Sequence, residues 1–227
     1  FKDGDGKNKQ LLGGKGANLC EMTQIGLNVP PGFVITTEAC LHYLSTPERE
    51  LPADLMNVVR KQIKDIEKAT GKIFGDPENP LLVSVRSGSA MSMPGMMDTI
   101  LNLGLNKKTL LGLIKQTNNE RFGYDAYRRF IQLFGKVALG VPDEKFDKHF
   151  EEVKKKAGVK VDIGLSASDL KGISERFLGV VNDTLGKAFP EDVYEQLEIA
   201  IKAVFNSWMG KRAIDYRREF KITPQMA

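Results

Sequence analysis

Two short segments of this sequence place a cation among small residues, a pattern typical of a site for anions. The first is Gly13-Gly14-Lys15-Gly16. Its glycines allow close approach of the backbone to an anion, and residues 17–22 predict a helix whose N-terminal amides face the same way. The motif is not a P-loop, which requires G-x-x-x-x-G-K-[ST], because alanine follows Gly16. Taken alone, the motif fits a plain glycine-rich turn better than an anion site.

The second segment is Ser84-Val85-Arg86-Ser87, at the end of an apolar run over residues 81–85 that predicts a buried strand. A guanidinium group at the end of a strand needs an anionic partner, and its planar fork matches phosphate oxygens. The neighbouring serines add hydroxyl and backbone donors. An arginine paired with a structural carboxylate is the alternative interpretation.

A third segment is rich in methionine. Between residues 91 and 97, four methionines surround Pro94-Gly95. Methionine side chains adapt to both packed and open surroundings, so this segment suits a flap that closes over a ligand, with Gly95 as its hinge. Composition alone slightly favours the alternative, a buried turn filled by flexible side chains.

Composition excludes several classes of protein. The 227 residues carry 33 basic and 29 acidic side chains, for a net charge of +4. These charges are interleaved, which argues against a nucleic-acid-binding surface, and no apolar run reaches the length of a membrane span. Two cysteines and two histidines oppose a zinc site and favour a reducing compartment. A cytoplasmic location is therefore expected, and the sequence does not distinguish the cytoplasm from a plastid or another organelle.

The four cysteines and histidines are expected to be structural or surface residues. Cys20 and Cys40 are expected to be core residues rather than nucleophiles, and His42 and His149 to be structural or surface residues. Both ends of the sequence resemble cuts, so we expect it to be part of a longer protein.

Apolar periodicity predicts the elements that must position these segments. Residues 33–35 predict a strand, and residues 52–70 predict an amphipathic helix. From residue 122 onward, apolar residues recur every three or four positions in four further stripes, which predict helices. They are Phe122, Ala126, Phe130 and Phe134; Phe146, Phe150 and Val153; Leu170, Ile173, Phe177 and Val181; and Val193, Leu197, Ile201 and Val204. The sequence therefore predicts an α/β (α+β) fold with its strands early and its helices late.

The motifs resemble those of enzymes that make or use phosphoenolpyruvate. LLGGKGANLCEM at residues 11–22, PPGFVIT at 30–36 and SVRS at 84–87 occur in the expected order. MSMPGMMDTILNLGLN at 91–106 is similar to the pyruvate phosphate dikinase family in particular. Ser207-Trp208, Arg212-Ala213 and Tyr216-Arg217 also fit, so the resemblance spans the chain.

The resemblance implies part of an ATP-grasp nucleotide-binding domain. Residues 1–105 and 191–227 would form its first α/β subdomain, and residues 106–190 an inserted helical subdomain. The other half of the ATP-grasp domain, the phosphohistidine domain and the pyruvate-binding barrel would lie outside this chain. The chain alone would then be inactive and would bind nucleotide weakly.

The resemblance also implies roles for individual residues. Lys15 and Arg86 would hold the ATP phosphates during catalysis, and Gly95, Met96 and Thr99 would form a lid near those phosphates. The implied reaction interconverts ATP, phosphate and pyruvate with AMP, pyrophosphate and phosphoenolpyruvate through a phosphohistidine. Magnesium ligands are expected outside this chain, with none within it. The partners implied are the nucleotide, phosphate or pyrophosphate, and the phosphohistidine domain of a homodimeric parent protein, without nucleic acid or membrane.

Two alternatives remain at this stage. A phosphoenolpyruvate synthase-type enzyme would release phosphate instead of pyrophosphate, and the methionine-rich segment opposes it. The second alternative is a non-catalytic interaction module on a relic ATP-grasp scaffold. Such a module would not need Lys15 or Arg86, so the presence of both opposes it.

Overall fold

Helices dominate the structure, a computed structural model that describes residues 1–91 and 93–223. The helices are α1 (Lys9–Gln24), α2 (Thr37–Ser45), α3 (Leu55–Thr70), α4 (Lys107–Thr117), α5 (Glu120–Val137), α6 (Asp143–Ala157), α7 (Ala167–Leu185), α8 (Val193–Ser207) and α9 (Lys211–Glu219). The strands are β1 (Ile73–Phe74), β2 (Pro80–Leu81), β3 (Val83–Arg86) and β4 (Thr99–Leu103). This mixture of helices and small sheets confirms the α+β class.

The chain divides into two compact units. The first contains residues 1–71, 86–99 and the chain from Ile201 onward, and the second contains residues 72–85 and 100–200. These bounds differ from the predicted division, since residues 72–85, 100–105 and 191–200 belong to the second unit. The assignment of either unit to a subdomain of an ATP-grasp domain stays a prediction.

The core of the first unit lies between helices. Cys20 of α1, Cys40 and Tyr43 of α2 and Val59 of α3 are buried. The ring of Tyr43 packs 5.6 Å from that of Phe205, and its hydroxyl accepts a hydrogen bond from the Asn206 amide at 2.8 Å. The helix predicted at 52–70 is confirmed as α3, and both cysteines are confirmed as buried core residues without a disulfide.

The strand predicted at residues 33–35 is wrong. These residues are half-buried but belong to neither a helix nor a strand. Val34 packs instead against the helix at Gly16, where an added Cβ would lie 3.0 Å from the nearer Val34 methyl carbon. The apolar run therefore reflects packing on α1, and no strand in the described part of the chain pairs with it.

Two small sheets belong to the second unit, with the ends of β3 and β4 at its boundary. β1 and β2 are parallel, with Ile73 opposite Pro80 and Phe74 opposite Leu81. β3 pairs with β4. The continuous buried strand predicted over 81–85 is wrong, because the run is split into β2 and β3, and residues of β3 alternate between half-buried and exposed.

Aromatic side chains form the centre of the second unit. The Phe189 ring lies 5.7 Å from that of Phe130 and 5.3 Å from that of Phe134, and the rings of Phe146 and Phe177 are 5.0 Å apart. Burial of each such side chain contributes roughly 1.5–3 kcal/mol. The helices predicted from periodicity are confirmed as α5–α8, although Phe122, the first member of its stripe, is 48 % exposed.

One buried glutamine of α8 forms hydrogen bonds with three backbone groups in two other segments of the second unit. The Gln196 side chain is 0 % exposed. Its amide nitrogen donates to the carbonyls of Leu105 at 3.0 Å and Pro190 at 2.9 Å, and its amide oxygen accepts from the Gly104 N–H at 3.2 Å. These bonds satisfy backbone groups that water does not reach.

Burial of Cys40 makes the stability of the fold depend on pH. Desolvation raises the pKa of this thiol to about 12, against about 8.5 for an exposed cysteine. The fold therefore disfavours the thiolate. The stability that the buried neutral thiol contributes is complete below pH 8.5 and is lost as the pH rises toward 12. We expect the free energy of unfolding to fall by about 1.4 kcal/mol per pH unit more in the wild type than in Cys40→Ala. Urea unfolding at pH 8, 9.5 and 10.5 measures both slopes, and parallel slopes would contradict this expectation.

Among residues 1–91 and 93–223, no helix is long and apolar enough to cross a membrane.

Candidate phosphate-binding site

A break at Gly13 creates a helix start in the middle of α1. Gly13 has φ 67° and ψ 161°, whereas the residues on either side are helical. This backbone conformation is essentially restricted to glycine. The glycine-rich turn considered for residues 13–16 is therefore confined to Gly13, and Lys15 lies in the first turn of the helix that follows.

Residues 13–15 lie directly against the segment that follows Arg86. The Gly14 N–H donates to the Ser89 carbonyl at 2.8 Å, and the Lys15 ammonium donates to the Ser87 carbonyl at 2.9 Å. A Cβ added at Gly13 would lie 2.6 Å from the Gly88 carbonyl oxygen. The structure thus brings together two motifs that are about seventy residues apart in the sequence.

Arg86 is the last residue of β3, at the strand end where the sequence predicts it. The two-residue alternation of the strand places Ser84 and Arg86 on its exposed face. Within the described part of the chain, the Arg86 guanidinium has neither an ion pair nor a hydrogen bond. The structural carboxylate considered as its partner is therefore absent from that part.

This cluster suits an anion that is larger than a single carboxylate. Lys15 is exposed and uses one of its three N–H donors on Ser87, so two remain. Arg86 offers a planar set of five donors, and the start of the helix after Gly13 favours negative charge. Cationic side chains beside a helix N-terminus are groups that suit the oxygens of a phosphate.

The methionine-rich segment is held elsewhere in the first unit. Arg212 of α9 donates to the Gly95 carbonyl at 3.3 Å and to the Asp98 carboxylate at 3.2 Å. The Asp98 N–H donates to the Ser207 hydroxyl at 3.4 Å. In the described residues, Gly95, Met96 and Thr99 form no hydrogen bond with Lys15 or Arg86, so the structure does not join these predicted lid residues to the two cations.

Sequence reasoning gave Ser207 and Arg212 no role, although both belong to motifs that carry the resemblance. Asp98 and Arg212 are 114 positions apart, so no local pattern relates them. The contacts at Ser87, Gly88 and Ser89 were also missed, because they involve backbone carbonyls that the sequence does not distinguish.

The residues around the cluster do not match a magnesium site. In the described chain, no three side chains of His, Cys, Asp or Glu come close enough together to hold a metal ion. Lys15, Arg86 and the carbonyls of residues 87–89 supply cations and neutral oxygens instead. The magnesium ligand set preferred in proteins, carboxylates with phosphate oxygens, is not provided here.

Known proteins are similar to this chain along almost its entire length. The family model described as pyruvate phosphate dikinase, AMP/ATP-binding domain matches residues 9–50 and 47–227. The pyruvate, phosphate dikinase of Entamoeba histolytica is 61 % identical over 227 residues, which is 100 % of this chain and 26 % of that protein. The enzyme of that name from Clostridium symbiosum is 48 % identical over 219 residues, 96 % of this chain and 25 % of its own length.

A plant relative shows the same partial coverage. The chloroplastic pyruvate, phosphate dikinase of Mesembryanthemum crystallinum is 50 % identical over 215 residues, which is 95 % of this chain and 22 % of that protein. The chain belongs to the pyruvate phosphate dikinase AMP/ATP-binding domain family. It spans about a quarter of the length of these relatives.

Proposed function

We propose that this chain is the part of a pyruvate phosphate dikinase that holds the phosphates of ATP. The full-length protein would interconvert ATP, phosphate and pyruvate with AMP, pyrophosphate and phosphoenolpyruvate through a phosphohistidine. The observation that carries the proposal is the contact of the Lys15 ammonium with the backbone immediately after Arg86, at a helix start. Membership of an AMP/ATP-binding family supports nucleotide phosphates as the anion.

Lys15 and Arg86 would act by electrostatics and positioning. Phosphoryl transfer requires neutralised phosphate oxygens and an in-line arrangement, and both depend on groups that are fixed before the reaction. The Lys15 ammonium is fixed by the Ser87 carbonyl, and the backbone of Arg86 is fixed by its place at the end of β3. Both side chains remain exposed, so an incoming phosphate displaces water rather than a protein partner.

The remaining parts of the nucleotide site would come from outside this chain. An ATP-grasp domain encloses the nucleotide between two subdomains, and this chain would supply the one that bears Lys15 and Arg86. Carboxylates for magnesium and the adenine pocket would belong to the other. The phosphohistidine domain of the same protein would be the partner that receives the phosphoryl group.

The methionine-rich segment would serve as a lid over the phosphates. Its contacts with Arg212 are at a surface, since the Arg212 side chain is 67 % exposed. An exposed ion pair of this kind contributes about 1 kcal/mol or less, so it can be exchanged for contacts with a ligand. Gly95, Met96 and Thr99 are the residues we expect nearest the phosphates when this segment closes.

The decisive experiment follows ATP formation by the full-length protein from phosphoenolpyruvate and AMP. Pyrophosphate and phosphate are supplied in separate reactions. We expect ATP only with pyrophosphate, because the reverse dikinase reaction takes one phosphoryl group from phosphoenolpyruvate and the other from pyrophosphate, which leaves as phosphate. ATP with phosphate alone would assign the protein to the phosphoenolpyruvate synthase type. The absence of ATP in both reactions would favour a non-catalytic interaction module.

A further inference from the structure

Three successive residues of α1 meet three successive residues after β3. Lys15 contacts the carbonyl of Ser87, Gly13 lies against the carbonyl of Gly88, and Gly14 donates to the carbonyl of Ser89. The two stretches therefore contact each other mainly through their backbones, and the Lys15 side chain adds one further contact.

The contact between Gly13 and the Gly88 carbonyl tolerates only glycine at position 13. An alanine there would have to hold φ 67°, which L side chains rarely adopt. Its Cβ would also lie 2.6 Å from the oxygen and 2.8 Å from the carbon of the Gly88 carbonyl. Both are backbone atoms, so the clash is relieved only if one stretch moves away from the other.

We propose that Gly13 is a positioning residue that fixes Lys15 relative to Arg86. The close approach of Gly13 to Gly88 sets where the helix bearing Lys15 begins, and the Ser87 carbonyl then orients the ammonium. The two cations act as one phosphate clamp because their backbones are joined, although they belong to different elements. This inference rests on the proposed function, since it assigns Gly13 to the nucleotide half of that reaction.

Gly172 of α7 provides a control outside the two stretches. Its φ is not positive, and an added Cβ would have no heavy atom within 4 Å beyond the backbone of its own helix. Gly172→Ala therefore adds the same methyl group to a helix without touching either stretch.

The test compares Gly13→Ala and Gly172→Ala in the full-length protein. Displacement of a catalytic group by about 1 Å can cost about 100-fold in rate. We expect Gly13→Ala to lower kcat/KM for pyrophosphate-dependent ATP formation about 100-fold, and Gly172→Ala to change it less than about threefold. Exchange of labelled pyruvate into phosphoenolpyruvate needs only the phosphohistidine and pyruvate sites, so we expect both variants to retain it.

The outcomes separate this inference from the proposed function. Equal rates for the two variants, with an active wild type, would overturn the role of Gly13 alone. A wild type that forms no ATP with pyrophosphate would overturn the proposed function instead. If Gly13→Ala does not fold, a double-mutant cycle of Lys15→Met and Arg86→Met decides. A single clamp predicts strongly non-additive losses, and additive losses would overturn the inference.

Discussion

Replacement of Arg86 by alanine is expected to lower pyrophosphate-dependent ATP formation by about 100- to 1,000-fold. Loss of one fixed donor to a developing charge has this effect in other enzymes. Arg86 is exposed at the end of β3 and has no ion pair in the described chain, so its charge is free for a ligand. The measurement is kcat/KM of the full-length variant, beside its exchange of pyruvate into phosphoenolpyruvate, which should be unchanged.

Two further variants make this result specific. Arg86→Lys keeps the charge but loses the planar fork, so we expect an intermediate loss. Arg129→Ala removes another exposed arginine, which is paired with Asp125 at 3.0 Å in the second unit, and should leave the rate unchanged. An Arg86→Ala enzyme with wild-type kcat/KM would show that the phosphates are held by other groups, and would restore the interaction module as an explanation.

The largest expected effect on stability is that of Gln196→Ala. The change leaves the Gly104 N–H and the carbonyls of Leu105 and Pro190 without their partner. A buried polar group that loses its hydrogen bond costs roughly 1–3 kcal/mol, and water entering the new cavity offsets part of this cost. We expect the free energy of unfolding to fall by about 3 kcal/mol or more. Urea denaturation of the chain measures it.

Gln116 offers a control of the same residue type. Its amide also donates two hydrogen bonds, to the Glu78 carbonyl at 3.1 Å and to the Asn79 side chain at 2.7 Å, but Gln116 is exposed. Water replaces those partners, so Gln116→Ala should cost less than about 1 kcal/mol. Similar losses for the two variants would show that burial of the Gln196 network contributes little.

Local patterns predicted the helices well because a helix buries one face at a fixed spacing. The repeats around Phe130, Phe146 and Phe177 became α5, α6 and α7 with most of their apolar residues inside. Strands were harder to predict from the sequence, since a strand forms only if a partner strand pairs with it. Residues 33–35 pack on Gly16 instead, and the run at 81–85 was split into two strands that pair with different partners.

The candidate site was predicted only in part. Charge and neighbouring small residues identified Lys15 and Arg86 as candidates, but residue types alone were also compatible with purely structural roles. The family resemblance was the reason to prefer phosphate binding. The contacts that join the two motifs use carbonyl groups of Ser87, Gly88 and Ser89, which every residue possesses. Long-range partners such as Asp98 and Arg212, or Gln196 and Gly104, depend on tertiary packing that no local pattern encodes.

Protection of Lys15 by Mg-ATP tests most directly whether this cluster holds nucleotide phosphates. The full-length protein is briefly treated with an amine-acylating reagent, and Lys15 and Lys9, an exposed lysine of the same helix, are quantified by mass spectrometry. At ten times the dissociation constant only about one molecule in eleven is free, so we expect acylation of Lys15 to fall about tenfold. Acylation of Lys9 should stay unchanged. Equal acylation of Lys15 with and without saturating Mg-ATP would contradict its role at the phosphates.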